Sequence, residues 1–322
     1  MTTDRQARDL PLDAHLHTDL SPDSGVPIDA YAAAALERGI AEIAITDHVD
    51  FEPGAPAFGY TTFDDRERVV RGAAERWGPQ GVLIRFGVEL TYDRAWEADI
   101  RDHLARRAYD FTIGSVHDRV ESPYHHRNVA AWVEGRSLAE IVAPSFDEVE
   151  AAARSGLFDA IGHIDVVKRY LNPHVKPAAF EAQPELYEPI LRALVESGTA
   201  LEVNTSGLRY AVGVTFPYPA IVARFHELGG RAVTVGSDAH RADQFSWGLA
   251  DGYAIAAAAG FTDLAFRRGP GAARVLVPMP RDEATTVPRD EATTVPRDEA
   301  TTMPRDEATT VRRGDEADDH AT

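Results

Sequence analysis

The chain contains no cysteine. Disulfides are therefore excluded, and no thiolate can serve as nucleophile or metal ligand. Any metal must be held by nitrogen and oxygen. Long apolar runs are missing too: none approaches the roughly 18 residues needed to cross a bilayer. The opening "MTTDRQARDL" has no apolar core of signal-peptide length. The expectation is a soluble cytoplasmic protein without a membrane partner. Basic charge is also in short supply. With 33 Lys and Arg against 52 Asp and Glu, the formal net charge is −19, which argues against a nucleic-acid partner. Histidine is scarce, 12 in 322 residues, so its placement carries information.

What is present divides at residue 278. From Met279 to Thr310 the octapeptides "MPRDEATT", "VPRDEATT", "VPRDEATT" and "MPRDEATT" run in tandem, then degrade to "VRRGDEADDHAT". A period of eight with a proline in each repeat suits neither helix nor packed strand. With so little apolar content it cannot offset its ordering entropy. Residues 279–322 are expected to be a disordered tail, and residues 1–278 a single folded domain. The tail holds 6 Arg and 12 Asp or Glu, leaving 27 basic and 40 acidic residues before it, so the domain is acidic in its own right.

Within 1–278, short β-branched or apolar runs alternate with helical patterns. The runs are "LPLDAHL" (10–16), "AEIAIT" (41–46), "GVLIRFGVEL" (81–90), "YDFTIGSV" (109–116), "FDAIGHI" (158–164), "TALEVNT" (199–205) and "RAVTVGS" (231–237). Helices are expected at 27–39, 62–78, 143–156, 184–198 and 218–230, where early Pro or Asp and a closing Gly frame most of the segments. Strand and helix alternating over about 270 residues predict an α/β fold with a mainly parallel sheet. Seven strands in that length suit a closed, TIM-like barrel better than an open sheet.

Polar residues gather where each run ends. The first ends in His15 and His17, the second in Asp47 and His48, and the third in Glu89. His117 follows the fourth, His163 and Asp165 the fifth, Asn204 the sixth, and Asp238 and His240 the seventh. In parallel α/β folds the C-terminal strand ends converge on one face, where active sites lie. Residues two apart on a strand share a face, so His15 and His17 project together. Six histidines and several carboxylates thus meet at one barrel mouth. A catalytic zinc takes about three protein ligands, so eight or nine donors imply two or three ions with shared bridges. Glu89 is the best-placed bridging carboxylate. The remaining histidines lie in helices, loops or tail and are expected to be structural, although the His125–His126 loop could overhang the site.

Together, "HLHTDLSPDS", "ITDH", "FGVE", "GSVH", "GHID" and "GSDAH" resemble the PHP (polymerase and histidinol phosphatase) metal-dependent phosphoesterases over residues 10–275. "GHIDVVKRY" (162–170) and "LEVNTSGLR" (201–209) are similar to segments of the histidinol-phosphate phosphatases within that family. The resemblance implies a distorted seven-stranded (β/α) barrel and a trinuclear centre of divalent ions, with Zn, Fe or Mn equally suitable. By motif position, His15, His17, Glu89 and Asp238 would hold one ion, with Glu89 and Asp238 acting catalytically through a bridging hydroxide. Glu89 would bridge to a second ion on His117 and His163, and a third would use Asp23, His48 and His240. Aspartate at position 23 is a departure, since some relatives carry histidine there.

Phosphate-ester hydrolysis needs a nucleophile at neutral pH and positive charge for the phosphoryl oxygens. Metal ions supply the nucleophile without serine or cysteine, which fits a chain lacking thiols. Lys168, Arg169 and Arg209, with Arg119 as a weaker candidate, are the cations expected to clamp the phosphate. The expected activity is hydrolysis of L-histidinol phosphate in histidine biosynthesis. A phosphoesterase acting on another small phosphate or nucleotide is the alternative, and a silent metal-binding scaffold is a third reading. The partner is a small phosphate ester, and the residues leave oligomeric state open.

Overall fold

The computed structural model describes residues 9–117, 121–172 and 174–280. Ten strands are present among them: β1 (Leu12–Leu16), β2 (Glu42–Ile45), β3 (His48–Val49), β4 (Leu83–Thr91), β5 (Phe111–Ser115), β6 (Ala160–Ile161), β7 (Ala200–Asn204), β8 (Val233–Gly236), β9 (Asp263–Phe266) and β10 (Val275–Pro278). The main sheet is parallel in the order β1-β2-β4-β5-β6-β7-β8, with β3 added on β4. Its seven principal strands are those read from the sequence. The outer two nearly close the ring. Leu16 bridges Ala239, the Asp238 N–H donates to His15 O (2.9 Å), and the His17 N–H donates to Ala239 O (3.0 Å). The fold is thus the expected α/β barrel, joined most firmly at its mouth.

Both faces of the strands are buried: β1, β2, β5, β7 and β8 have no exposed residue. One face meets the helical layer and the other the lumen. Alternation puts Asp13 and His15 on the lumen face of β1, and Glu202 and Asn204 on that of β7. Register sets the depth of each side chain. His48 pairs with Glu89 across β3 and β4, so two candidate ligands from adjacent strands stand level.

Helices Ile28–Arg38, Phe63–Trp77 and Pro219–Glu227 lie within the segments expected for them. The helix expected at 143–156 starts five residues earlier, running Leu138–Ser155. A capping box at Ser137 and Glu140 starts it. Pro144, which reads as a helix start, lies inside it. The Ser145 N–H donates to the Tyr124 hydroxyl, which in turn donates to Ile141 O. A side chain inserted into the ladder thus accommodates the proline. The antiparallel hairpin β9–β10 is an addition that the sequence reading did not contain. Phe266 of β9 packs on Phe111 at 4.5 Å between ring centres. Met279, assigned to the tail on the strength of the repeat, is buried and donates its N–H to Thr262 O. The folded part therefore extends past residue 278. Residues 281–322 of the proposed tail lie outside the described residues.

Candidate metal centre

All nine residues expected to hold metal converge at the mouth. Glu89 is central. Its Oε2 lies 3.4 Å from His15 Nε2, 3.4 Å from His17 Nε2 and 3.0 Å from His48 Nδ1. Its Oε1 lies 3.0 Å from His163 Nε2 and 3.4 Å from His117 Nε2. One carboxylate therefore faces five imidazoles, three with one oxygen and two with the other. Asp238 Oδ1 stands 3.3 Å from His17 Nε2 and 3.4 Å from His240 Nδ1. Asp23, from the loop after β1, stands 3.2 Å from His48 Nε2 and 3.1 Å from His240 Nε2. The His17 ring packs against those of His48 and His240, with centres 4.3 and 4.1 Å away.

Such crowding has an electrostatic consequence. Burial, reinforced by neighbouring His240 and His48, drives His17 well below the usual imidazole range. Burial acts the same way on His15, but the carboxylates of Glu202, Glu89 and Asp238 outweigh it and raise that imidazole. Burial would also raise the Glu89 carboxyl, yet His15, His117 and His48 hold it well below its ordinary value. Two adjacent imidazole nitrogens, His15 Nε2 and His17 Nε2, are only 3.0 Å apart.

The donors fit divalent ions. Glu89 Oε2 is buried without a well-directed hydrogen-bond donor, a state that costs free energy unless a cation is bound there. Among the described residues three donor sets have ligand atoms mutually within 4.8 Å: His17, Asp23, His48 and His240; His15, His17 and Glu89; and His48, Glu89 and His117. The grouping is tighter than expected, since His17 and His48 each belong to two sets.

The candidate phosphate cations have different surroundings. Arg209 donates to the carbonyls of Ser237 and Asp238, both at 2.8 Å, and so lies beside the loop that presents Asp238. Arg169 is half-buried with its guanidinium 3.8 Å from the Tyr210 ring centre. Lys168 corrects the expectation of a cation at the mouth. It is buried, paired with Asp165 at 2.7 Å, and hydrogen-bonded to Thr215 O. Its ammonium lies 3.9 Å from the Tyr218 ring centre. The cause is helical: Val167–Leu171 follows β6 after the turn at 162–166, and the 3.6-residue turn sends Lys168 and Leu171 to the buried face. Arg119 lies outside the described residues.

Glu202 and Asp13 escaped the sequence reading. Both are buried, and both stand on the lumen face near His15. Burial raises the Asp13 carboxyl to about 6, against hydrogen bonding from Ser237. The available signal was a charged residue in mid-strand, two before a noted polar position. A cavity of about 190 Å³ opens beside His117, with Tyr92, Asp93, Ser122, Glu148 and Tyr170 among its walls.

The family model described as the PHP domain matches residues 13–206. A protein of Deinococcus radiodurans described as a probable histidinol-phosphatase is 32% identical over 242 residues, spanning 74% of this chain and 90% of that one. The histidinol-phosphatase of Lactococcus lactis is 27% identical over 256 residues, spanning 79% and 93%. Among solved structures, the histidinol phosphate phosphatase of Lactococcus lactis, complexed with Zn, L-histidinol and phosphate, is similar with a TM-score of 0.69. It is 25% identical, and the match covers 80% of this chain and 97% of that one.

Proposed function

The chain belongs to the PHP domain family, and from that premise we propose that it is a metal-dependent phosphomonoesterase. Its substrate on this reading is L-histidinol phosphate, hydrolysed to L-histidinol and phosphate. The observation that carries the proposal is the Glu89 carboxylate divided between two groups of histidine nitrogens. A carboxylate that serves structure meets fixed donors such as guanidinium groups, whereas one shared among imidazoles that can each offer a lone pair suits a bridge between cations.

Two or three divalent ions fit the donors, with Zn, Fe and Mn all compatible with imidazole and carboxylate. His15, His17, Glu89 and Asp238 would take one ion. Glu89, His117 and His163 would take the second, and Asp23, His48 and His240 the third. When bound, such ions acidify water and neutralise phosphoryl oxygens. The remaining work belongs to the chain. Burial keeps the imidazoles in fixed orientations, so their lone pairs converge before substrate arrives. Arg209, placed beside Asp238, and Arg169 supply cationic donors for the phosphate. The cavity beside His117 offers the leaving group a place with tyrosine walls and the acidic residues Asp93 and Glu148. L-histidinol, an amine with an imidazole ring, suits acidic and aromatic walls. The L-histidinol and phosphate in the Lactococcus lactis structure support this choice of substrate.

The test is phosphate release from L-histidinol phosphate by metal-reconstituted protein, beside a panel of small phosphates and nucleotides. Elemental analysis of the same sample accompanies it. The expected result is loss of turnover on chelation, recovery with a divalent ion, and highest kcat/KM for L-histidinol phosphate. Metal-loaded protein that releases no phosphate from any ester would overturn the proposal. Preference for a nucleotide would move it to the alternative substrate class.

A further inference from the structure

Glu202 lies in the middle of β7 and is fully buried, yet it is not among the residues that face Glu89. Its hydrogen bonds run to the metal donors. Oε1 stands 2.6 Å from His15 Nδ1. Oε2 accepts the backbone N–H of His163 at 2.8 Å, and an amide N–H of Asn204 at 3.1 Å. That Asn204 amide also lies 3.3 Å from Asp238 Oδ2. Its orientation is fixed from the other end, because Asn204 Oδ1 accepts from the Ser206 N–H and hydroxyl. One carboxylate is thereby tied to three candidate ligands on β1, after β6 and after β8.

The barrel makes room for it on both sides. A Cβ at Gly236 would stand 2.8 Å from Glu202 Oε1 and run into His15 Cβ. A Cβ at Gly162 would stand 3.3 Å from Glu202 Oε2 and run into Ser115 Oγ. Glycines at the end of β8 and just past β6 thus open the pocket this side chain fills. The backbone it holds is unusual as well. His163 has φ +22°, a conformation that non-glycine residues rarely adopt and that surrounding contacts must maintain.

We propose that Glu202 is the positioning residue of the metal centre. It fixes His15 with the proton on Nδ1 and the lone pair on Nε2 facing the ions. It also holds the His163 turn, and through Asn204 it steadies Asp238. The chemistry is that of a carboxylate behind a ligating histidine, which sets tautomer and ring orientation. Replacement by glutamine exposes the requirement. Both groups that Glu202 meets at His15 and His163 are N–H donors, and glutamine has only one carbonyl oxygen. Either its NH₂ opposes a donor, or His15 changes tautomer and turns an N–H toward the ions.

The inference rests on reading the cluster as a metal centre, so Zn²⁺ uptake by the wild-type chain is measured first. Full-length Glu202→Gln should bind Zn²⁺ about 10- to 100-fold more weakly, the range for loss of such a supporting group. Its stoichiometry at saturation should match the wild type, and Glu202→Asp should recover part of the affinity. In Zn²⁺-loaded wild type with ¹⁵N-labelled histidine, His15 should show a slowly exchanging Nδ1–H. Its signal is assigned by its loss in His15→Gln. The NMR measurement needs no Glu202 variant to fold. Wild-type affinity in Glu202→Gln, or a His15 without a proton on Nδ1, overturns the role of Glu202 alone. A wild-type chain that takes up no Zn²⁺ overturns the metal-centre reading, and this inference with it.

Discussion

At the bottom of the barrel, where strands begin, the Glu42 carboxylate accepts from Arg85 and twice from Arg268. Asp159, just before β6, accepts from Arg267 and from the Thr112 N–H and hydroxyl. Asp110, just before β5, takes a two-point contact from Arg71 and the Phe86 N–H. At the mouth, Glu89 and Asp238 face imidazoles, and Glu89 Oε2, His17 Nδ1 and His163 Nδ1 are buried without hydrogen bonds. The two ends use the same acidic residue types with different partners. A guanidinium is permanently charged and matches a carboxylate in shape, so the bottom is settled by folding itself. An imidazole brings a lone pair that a cation can take, so the mouth is completed only by ions. The bottom therefore reads as stability and the mouth as chemistry.

The largest effect that would break this contrast is at Glu89. Glu89→Gln keeps the shape and removes the charge. It should lower bound metal per chain and cut kcat/KM by more than about 100-fold, beyond the loss of a mere supporting group. It should also abolish the rise in Tm that added Zn²⁺ gives the wild type, since a ligand stabilises only what it binds. His226→Gln is the control, because His226 packs edge-on to Phe261 at 4.9 Å and touches no candidate ligand. Equal metal content and activity in the two variants would remove the bridge.

Next come the cations at the mouth. Arg169→Ala and Arg209→Ala should each lose about 1.5–3 kcal/mol of charge-assisted hydrogen bonding to the phosphate. That is roughly a 10- to 150-fold drop in kcat/KM, with metals retained. Lysine should recover only part, lacking the planar two-point contact. Inorganic phosphate should inhibit both alanine variants more weakly. Full kcat/KM in both, with metal bound, would place the clamp elsewhere.

The bottom should respond in the opposite currency. Glu42→Gln leaves Arg85 and Arg268, both partly exposed, to turn toward water. The cost should be about 1–3 kcal/mol. For a domain of this size that lowers Tm by roughly 2–4 °C per kcal/mol. Metal content and kcat/KM of the folded protein should stay at wild-type values. Thermal melting and steady-state kinetics on one preparation decide it: lost activity at unchanged Tm would mean the two ends are not separable.

How much of this could be read beforehand differs between the two ends. The seven barrel strands and eight of the nine candidate ligands were visible because each of those ligands stands at the end of an apolar run, whereas Asp23, in the loop after β1, was implied only by the family resemblance. Glu202 and Asp13 were hidden for the complementary reason. They sit inside runs, where a charge reads as a flaw in an apolar pattern, and the partners that reveal their role are 39, 187 and 224 residues away. Lys168 misled because its position after a strand end was legible and its helical phase was not. Sequence spacing gives proximity to an end, whereas facing the lumen or the core depends on where the next helix begins. The β9–β10 hairpin was missed for want of pattern. Four-residue strands on either side of "RRGPGAAR" (267–274) carry too little periodicity to register.

The smallest expected effect concerns where that hairpin stops. Chains ending at Pro280 and at Pro278 differ by Met279 and Pro280 alone, yet they test different statements. Met279 is buried, and its N–H extends the hairpin pairing to Thr262 O. Burial of a methionine side chain contributes about 1.5–3 kcal/mol, and the hydrogen bond about 1 kcal/mol. The chain ending at Pro278 should therefore melt several degrees below the full-length protein, with kcat/KM unchanged because the loss is confined to the barrel's lower end. The chain ending at Pro280 keeps Met279 and loses only the repeats from Arg281 onward, which offer almost no apolar side chain to bury. It should match the full-length protein in both Tm and turnover. A lower Tm for the Pro280 chain would mean that the repeats contribute to the folded domain. Equal melting of the two shortened chains would mean that the fold ends at Pro278, as the repeat boundary suggests, and that Met279 adds nothing.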